Sequence, residues 1–381
     1  MTTRALVFSV AAAAALVPAC KKDKDQPAPP PGAGSGSATA GTATGSAAAR
    51  PRPSQSTLPQ MPLMVLGDDL KRAAKVTLGH ALFFDKRLSG GTDRSCYSCH
   101  ANEDGNGGAQ PIAIGSGGKT LTRHSPVIWN VGYWSSAFYW DGRTKTLEDN
   151  AKGAWGGGNM GAAPGADTPE KTTAALDAKA AEVAAIAAFK PLFETAYPGT
   201  PIKADHVTGA LAEYMRTLIC NNTAYDKFAA GDKTALSEDQ QRGLDVFLGK
   251  GKCATCHAPP FFSTAMGVEG GAYFNVGIGT SGVAEDKVDV GRMKVTNKPE
   301  DWAAFKPPSL RNVAKSPPYF HDGSVGTLDE AVKLMASGGI ANKNKSPLLT
   351  DTGLTDAERT DLLAFLKGLD CPGSLEPPAA Q

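Results

Sequence analysis

Apolar residues recur at helical spacing in several stretches of this chain, and stretches rich in Gly, Pro, Asn and Asp separate them. The spacing predicts four helices, over residues 68–84, 168–197, 202–218 and 355–369. Capping boxes predict two more, from Ser237 to about Phe247 and from Thr327 to about Met335. The pattern therefore predicts a mainly α-helical protein with long loops and little β-structure.

The N-terminal residues have the pattern of an export signal. Met1-Thr2-Thr3-Arg4 leads into an apolar run from Ala5 to Ala19, which is too short to span a membrane and predicts a signal peptide over 1–19. Leu16-Val17-Pro18-Ala19-Cys20 resembles the lipobox of a bacterial lipoprotein, in which Cys20 carries the lipid. The alternative is ordinary signal-peptidase cleavage after Ala19. Both alternatives predict a periplasmic protein, and the first tethers it to a membrane through Cys20.

The rest of the chain divides into a tether and two larger parts. Residues 20–58 are mostly Lys, Asp, Pro, Gly, Ser, Ala and Thr, with too few apolar residues to form a core, and predict a flexible tether. The length of the remainder suits two domains. The polar stretch Ala229-Ala230-Gly231-Asp232-Lys233 predicts their boundary, which gives domains over 59–232 and 233–381. A net charge of +1 with 20% charged residues argues against a nucleic-acid partner.

Two short motifs carry the candidate chemistry. Cys96-Tyr97-Ser98-Cys99-His100 and Cys253-Ala254-Thr255-Cys256-His257 both have the form Cys-x-x-Cys-His, which attaches haem c. The two thiols bind the porphyrin covalently, and the His is the proximal ligand of the iron. Zinc is the alternative, but zinc ribbons bring their Cys pairs within roughly 15–20 residues of each other. The motifs predict two covalently attached haems in two cytochrome c-like haem domains.

Two cysteines remain after the haem motifs and Cys20 are set aside. They are Cys220 and Cys371. An even pair in an oxidising compartment favours a Cys220–Cys371 disulfide, and two buried free thiols are the alternative.

The chain from about Leu78 to Leu369 resembles the bacterial di-haem cytochrome c peroxidase family, which also contains the MauG-type enzymes. The resemblance is carried, in order, by Leu78-Gly79-x-Ala81-Leu82-Phe83-Phe84-Asp85, both haem motifs, Trp140-Asp141-Gly142-Arg143, Leu310-Arg311-Asn312 and Pro318-Tyr319-Phe320-His321-Asp322-Gly323-Ser324.

The resemblance implies a role for each motif. His100 would be the proximal ligand of the peroxidatic haem and His257 that of the haem where electrons enter. Met335 matches the sixth ligand of the second haem, where a thioether raises the reduction potential. The alternative is that Met335 only fills the core. Trp140 matches an electron relay between the two haems.

The chain departs from the family around the first haem. The His that caps the resting iron in many members is replaced by Ser116, which leaves the iron five-coordinate or bound by another side chain such as His124 or Met160. The family also binds Ca²⁺ through an Asn and two backbone carbonyls. The carbonyls match Ser316 and Pro318, but the Asn position is His124, and imidazole is a poor ligand for this cation. The sequence therefore argues against Ca²⁺.

The distal residues of the first haem also differ. The Gln and the Glu of the family match Asn150 and Asn159. The Glu moves a proton between the two peroxide oxygens, and an amide cannot do this at neutral pH. Glu148 and His124 are the nearest substitutes in the sequence.

Two functions follow from these residues. The first is an enzyme that reduces hydrogen peroxide to water with electrons from a small c-type cytochrome or a cupredoxin, or that oxidises a donor as MauG-type enzymes do. The second is a lipid-anchored di-haem electron carrier without catalytic activity, which the loss of the distal Glu favours. The resemblance also implies a homodimer.

Overall fold

The computed structural model describes residues 58–64, 66 and 69–379. The predicted signal peptide, Cys20 and nearly all of the predicted tether lie outside the described residues. The described part of the chain belongs to one compact unit. The division into domains over 59–232 and 233–381 stays a prediction.

Helices dominate the described residues, which contain no strand and only five isolated β-bridges. The helices are α1 (Arg72–Phe84), α2 (Leu147–Gly156), α3 (Pro169–Ala184), α4 (Lys190–Ala196), α5 (Ala204–Arg216), α6 (Ala224–Ala229), α7 (Glu238–Leu248), α8 (Met293–Thr296), α9 (Leu328–Ala336) and α10 (Asp356–Lys367). The mainly α-helical class with little β-structure is confirmed. None of the helices within the described ranges has the length and apolarity that crossing a bilayer requires.

The predicted helices are largely present, with two differences. The stretch 168–197 is two helices, α3 and α4, because the chain leaves helical geometry between Ala184 and Lys190. The short helices α2, α6 and α8 were not predicted, since none of them has a long apolar stripe. Both predicted capping boxes form, at Ser237 with Gln240 and at Thr327 with Glu330.

Two similar helix pairs support the haem motifs. Helix α1 packs on α5 in the first hydrophobic core, and α7 packs on α10 in the second. Each pair crosses at a glycine: a Cβ on Gly79 would lie 1.9 Å from the Ala210 carbonyl oxygen, and one on Gly243 would lie 2.0 Å from that of Asp361. Any larger residue would push the helices apart. Helices α1 and α7 each precede one of the two Cys-x-x-Cys-His motifs in the chain.

The N-terminal end of the described chain packs into the second core, and the C-terminal end packs into the first. Leu58 is buried in the second core, whereas Leu375 and Cys371 are buried in the first. Cys371 forms a disulfide with Cys220, 151 positions away, so the Cys220–Cys371 hypothesis is confirmed. The other cysteines of the described residues, which are the four of the haem motifs, are free.

Candidate functional site

Each haem motif folds as a short 3₁₀ turn. The turns cover Cys96–Ser98 and Cys253–Thr255. Backbone hydrogen bonds close them, from His100 N to Tyr97 O at 3.2 Å and from His257 N to Cys253 O at 2.9 Å. A turn of this tightness places both thiols and the following imidazole on the wall of one cavity, as haem attachment requires.

Both motif histidines are held by the backbone through Nδ1. The Nδ1 of His100 donates to the Asn106 carbonyl at 3.2 Å, and that of His257 donates to the carbonyls of Phe262 and Pro308, each at 3.1 Å. Burial lowers the pKa of His100 to about 4 and also lowers the pKa of His257. Both rings are therefore neutral near pH 7, with Nε2 free of a proton and available to a metal.

The first cavity has a volume of about 280 Å³ and contains the first haem motif in its wall. Cys96, Cys99 and His100 line one part of it. Aromatic and apolar side chains line much of the rest, among them Phe83, Trp129, Phe138, Tyr139 and Trp155. A flat apolar macrocycle fits such a lining.

The sequence-predicted distal residues meet in the first cavity. Asn150, Asn159, Met160 and His124 all line it. Helix α2 carries Asn150, and the loop after α2 carries Asn159 and Met160.

Two other candidates face elsewhere. The Ser116 hydroxyl donates to Asp93 at 2.6 Å, and Ser116 is absent from the lining. Glu148 pairs with Arg216 at 2.7 Å and is absent from the lining as well. Of the two substitutes that the sequence offers for the missing carboxylate, only His124 reaches the cavity.

The second cavity has a volume of about 240 Å³ and contains the second motif. Cys253, Cys256 and His257 line it, together with Met335 from the last turn of α9. His257 and Met335 thus reach one cavity from elements nearly eighty positions apart in the sequence. Both side chains could therefore hold the iron of a haem in this cavity.

Trp140 lies between the two cavities and lines both. It is 8% exposed, and its indole N–H donates to the His124 carbonyl at 2.8 Å. Its own carbonyl accepts a hydrogen bond from the backbone N–H of Lys306 at 3.0 Å. The indole is therefore held in one orientation between the two sites.

The three groups considered for calcium also lie together. His124, Ser316 and Pro318 all line the first cavity. The Nδ1 of His124 donates to the Gln110 carbonyl at 3.0 Å, and burial lowers the pKa of the ring.

Sequence reasoning missed a charged and aromatic cluster beside Trp140. Arg123 pairs with Asp289 at 2.6 Å and with Asp141 at 2.8 Å. His321 stacks on Phe305, with ring centroids 3.7 Å apart, and burial lowers the pKa of His321 to about 4. In the sequence these residues appear only as charged and aromatic side chains in separate stretches. Such stretches usually belong to a solvated surface or to core packing.

The residues of both cavities fit haem c. Each cavity combines a thiol pair, a neutral imidazole with its Nδ1 proton fixed, and an aromatic or apolar lining. Burial raises the pKa of Cys96 and of Cys253 to about 12, so both thiols are protonated near pH 7. Within the described ranges no three His, Cys, Asp or Glu side chains converge in a way that would hold a bare metal ion.

Comparisons with known proteins agree with this site. Residues 73–234 match the family model of the di-haem cytochrome c peroxidases. The chain is 34% identical over 299 residues to the methylamine utilization protein MauG of Methylorubrum extorquens, which covers 77% of this chain and 78% of that protein. It is 33% identical over 272 residues to cytochrome c551 peroxidase of Pseudomonas aeruginosa, covering 70% of this chain and 72% of that protein.

A solved structure shares the fold at similar coverage. It is the crystal structure of a MauG-like protein associated with microbial copper homeostasis, at a TM-score of 0.69 and 28% identity, covering 84% of this chain and 95% of that one. The chain belongs to the di-haem cytochrome c peroxidase and MauG family, whose cofactors are two haems c.

Proposed function

We propose that this protein is a di-haem oxidoreductase that reduces hydrogen peroxide to water at the first cavity with electrons that enter at the second. The main support for this proposal is that there are two cavities, each with a Cys-x-x-Cys-His motif, and that the buried Trp140 lines both. The haems, when bound, supply the iron centres for peroxide and for electron storage. The relatives named as peroxidases support the reaction class.

The two cavities would have different roles because different residues line them. His257 and Met335 both line the second cavity and would hold the iron of the second haem; a thioether ligand raises the reduction potential, which suits electron entry. Trp140 offers an aromatic bridge from there to the first site. In the first cavity His100 would hold the iron, and peroxide would bind among the other lining residues.

The distal side would bind peroxide through amides. Asn150 and Asn159 can donate hydrogen bonds, but neither can take a proton from one oxygen and return it to the other. His124 is neutral and buried, lines the same cavity and can exchange a proton. We infer slower turnover than a distal carboxylate would allow.

A second candidate is a di-haem electron carrier without peroxidase activity. Asn159 favours it, since the expected carboxylate is absent. A third is the oxidation of a protein or small-molecule donor, which the similarity to MauG suggests. Both would use the same two haems and the same Trp140 bridge.

Steady-state assays with a reduced c-type cytochrome and hydrogen peroxide separate these candidates. We expect turnover by the oxidised or the half-reduced holoprotein. Trp140→Phe should slow electron transfer from the second haem to the first, whereas the control Trp155→Phe, which alters the first cavity alone, should not. Absence of turnover in both redox states would exclude the peroxidase and leave the carrier.

Electron paramagnetic resonance tests the ligand set of the first haem. Because Ser116 is bonded to Asp93 outside the cavity, we propose that the first iron rests five-coordinate and gives a high-spin signal. A wholly low-spin spectrum would instead assign a sixth ligand, and His124 and Met160 are the side chains placed for it.

Calcium and membrane attachment are separate proposals. We infer that the His124 position holds no calcium, since a neutral imidazole replaces an oxygen ligand; metal analysis of the purified protein tests this. We also propose export to the periplasm with a lipid on Cys20, a small cytochrome or cupredoxin donor, and a homodimer. Loss of membrane association in Cys20→Ser tests the lipid.

A further inference from the structure

Lys306 is a buried lysine at the junction of the two cavities. It is 7% exposed and lines both cavities. Its backbone N–H is bonded to the Trp140 carbonyl at 3.0 Å, so the residue is tied to the proposed bridge. No role for it follows from the reaction described above.

The ammonium group of Lys306 has no protein anion. Among the described residues, its Nζ forms no ion pair and no hydrogen bond, and it lies over the Trp134 ring, 3.4 Å from the centroid. The carboxylate that acts on Lys306 electrostatically, Asp141, already pairs with Arg123 at 2.8 Å and with Arg143 at 3.1 Å. A cation–π contact stabilises an ammonium group but does not neutralise it.

The carboxylates near Lys306 are paired with other cations. Asp141 pairs with Arg123 and Arg143, and Asp289 pairs with Arg123. Among the described residues no carboxylate forms an ion pair with Lys306. Burying an unpaired charge is costly, and burial lowers the pKa of Lys306 to about 7. An anion from outside the polypeptide would stabilise the charged form of this buried lysine.

A haem would supply such an anion. Each haem c has two propionate carboxylates, and a haem attached at Cys96 and Cys99 would bring them to the first cavity, which those cysteines line. Trp134, Arg123 and Arg143 line the first cavity and not the second, so the cationic cluster belongs mainly to the first haem.

We propose that the Lys306 ammonium group pairs with a propionate of the first haem and thereby raises the reduction potential of that haem. The inference rests on the haem cofactors of the proposed function. A positive charge beside the propionate favours the reduced, less positive iron, and a buried pair is weakly screened. Lys306 is thus a positioning and tuning residue, in contact with the cofactor.

Redox titration of Lys306→Met, Lys306→Arg and the exposed control Lys294→Met tests the proposal. Lys306→Met should lower the equilibrium constant for reduction of the first haem about tenfold, which is about 59 mV for a one-electron couple. The second haem should shift less. Lys306→Arg keeps the charge and should restore most of the potential, and Lys294→Met should leave both haems unchanged.

Two results would overturn the proposal: no greater shift in Lys306→Met than in Lys294→Met, or a shift confined to the second haem. A pyridine haemochrome assay on the same samples counts the attached haems. Two haems without the shift would refute only the Lys306 pairing, whereas missing haem in the wild-type protein would refute the proposed function.

A crystal structure of the wild-type holoprotein gives a test that does not depend on a variant. We expect Lys306 Nζ within hydrogen-bonding distance of a propionate oxygen of the first haem. A propionate that points away from Lys306 would refute the pairing, even if Lys306→Met fails to fold.

Discussion

Asn159 lines the first cavity at the position where the resemblance places a catalytic Glu. Its backbone carbonyl accepts the Ser116 N–H at 3.0 Å, which holds the loop after α2 against the Ser116 turn. The backbone at residue 159 is therefore held in place. Asn in place of Glu is a change in the chemistry of the side chain.

Asn159→Glu should raise peroxide turnover. A carboxylate in this wall can move a proton between the peroxide oxygens, an effect worth roughly 10²–10⁴-fold. We expect kcat/KM for hydrogen peroxide to rise by about 100-fold, measured with a reduced cytochrome donor. Asn159→Gln is the matched control, because it adds the same methylene without the carboxylate. Equal activities of the two variants would show that proton transfer does not limit the enzyme.

His321 is a buried histidine in the cluster beside Trp140. It is 5% exposed and stacked on Phe305, and burial lowers its pKa from the usual 6.5 to about 4. The nearby carboxylates of Asp322 and Asp289 oppose that decrease, whereas Arg123 adds to it. The ring is thus neutral in the folded protein over a pH range where an unfolded chain would be charged.

The free energy of unfolding should fall as the pH decreases from about 6.5 to about 4. In this range the unfolded state binds a proton at residue 321 that the folded state does not bind. Below about 4 both states are protonated and no further loss arises from this group. His321→Gln should remove up to about 3 kcal/mol of the difference, measured by urea unfolding at several pH values. An identical pH dependence in this variant would contradict the assignment.

The local sequence of helix α9 determines where Met335 lies. Thr327 caps it, with its hydroxyl accepting the Glu330 N–H at 3.2 Å, and the Glu330 carboxylate accepts the Thr327 N–H at 3.0 Å. Ala331 and Val332 are buried on the side that lines the second cavity, and Met335 follows one turn later on that side. The cap and the apolar side fix the direction of Met335.

Met335→Leu should leave the second haem five-coordinate. Leucine keeps the apolar contact but cannot bind iron, so we expect a high-spin signal from that haem and a lower reduction potential. Met266→Leu is the control, since Met266 is buried outside both cavities. An unchanged low-spin spectrum in Met335→Leu would show that Met335 only fills the core.

At the scale of the whole molecule, the two ends of the described chain hold the two cores together. Leu58 enters the second core, and the Gln60 amide donates to the Ala229 carbonyl at 3.2 Å. At the other end, Leu375 enters the first core, and its N–H donates to Asn102 at 2.8 Å. The Cys220–Cys371 disulfide also attaches the C-terminal segment to the first core.

Removing the disulfide should destabilise the protein without changing either cavity. The bond closes a loop of 151 positions, and loss of a long-range disulfide typically costs about 2–4 kcal/mol. We expect the double variant Cys220→Ala/Cys371→Ala to unfold at lower urea concentration with unchanged haem spectra. A thiol assay on the unfolded, unreduced wild-type protein should find no free thiol at these positions, and a midpoint equal to the wild type would contradict the prediction.

Much of the fold could be predicted from local sequence patterns. The capping boxes at Ser237 and Thr327 gave two helix starts, because both partners of each box lie within one turn. The break between α3 and α4 was missed, since Ala-rich sequence on both sides continues the same helical period. Lys306 was missed because its burial depends on Trp134 and Trp140, which lie more than 160 positions away.

The sequence by itself determined the haem chemistry, since Cys-x-x-Cys-His acts within one turn and needs no distant partner. It also supplied the family resemblance and the departures at Ser116, His124 and Asn159. Only the tertiary structure showed that Met335 shares a cavity with His257, that Ser116 and Glu148 face away, and that Trp140 and Lys306 lie between both sites. Those facts depend on chain segments that are distant in sequence and adjacent in space, which local spacing does not encode.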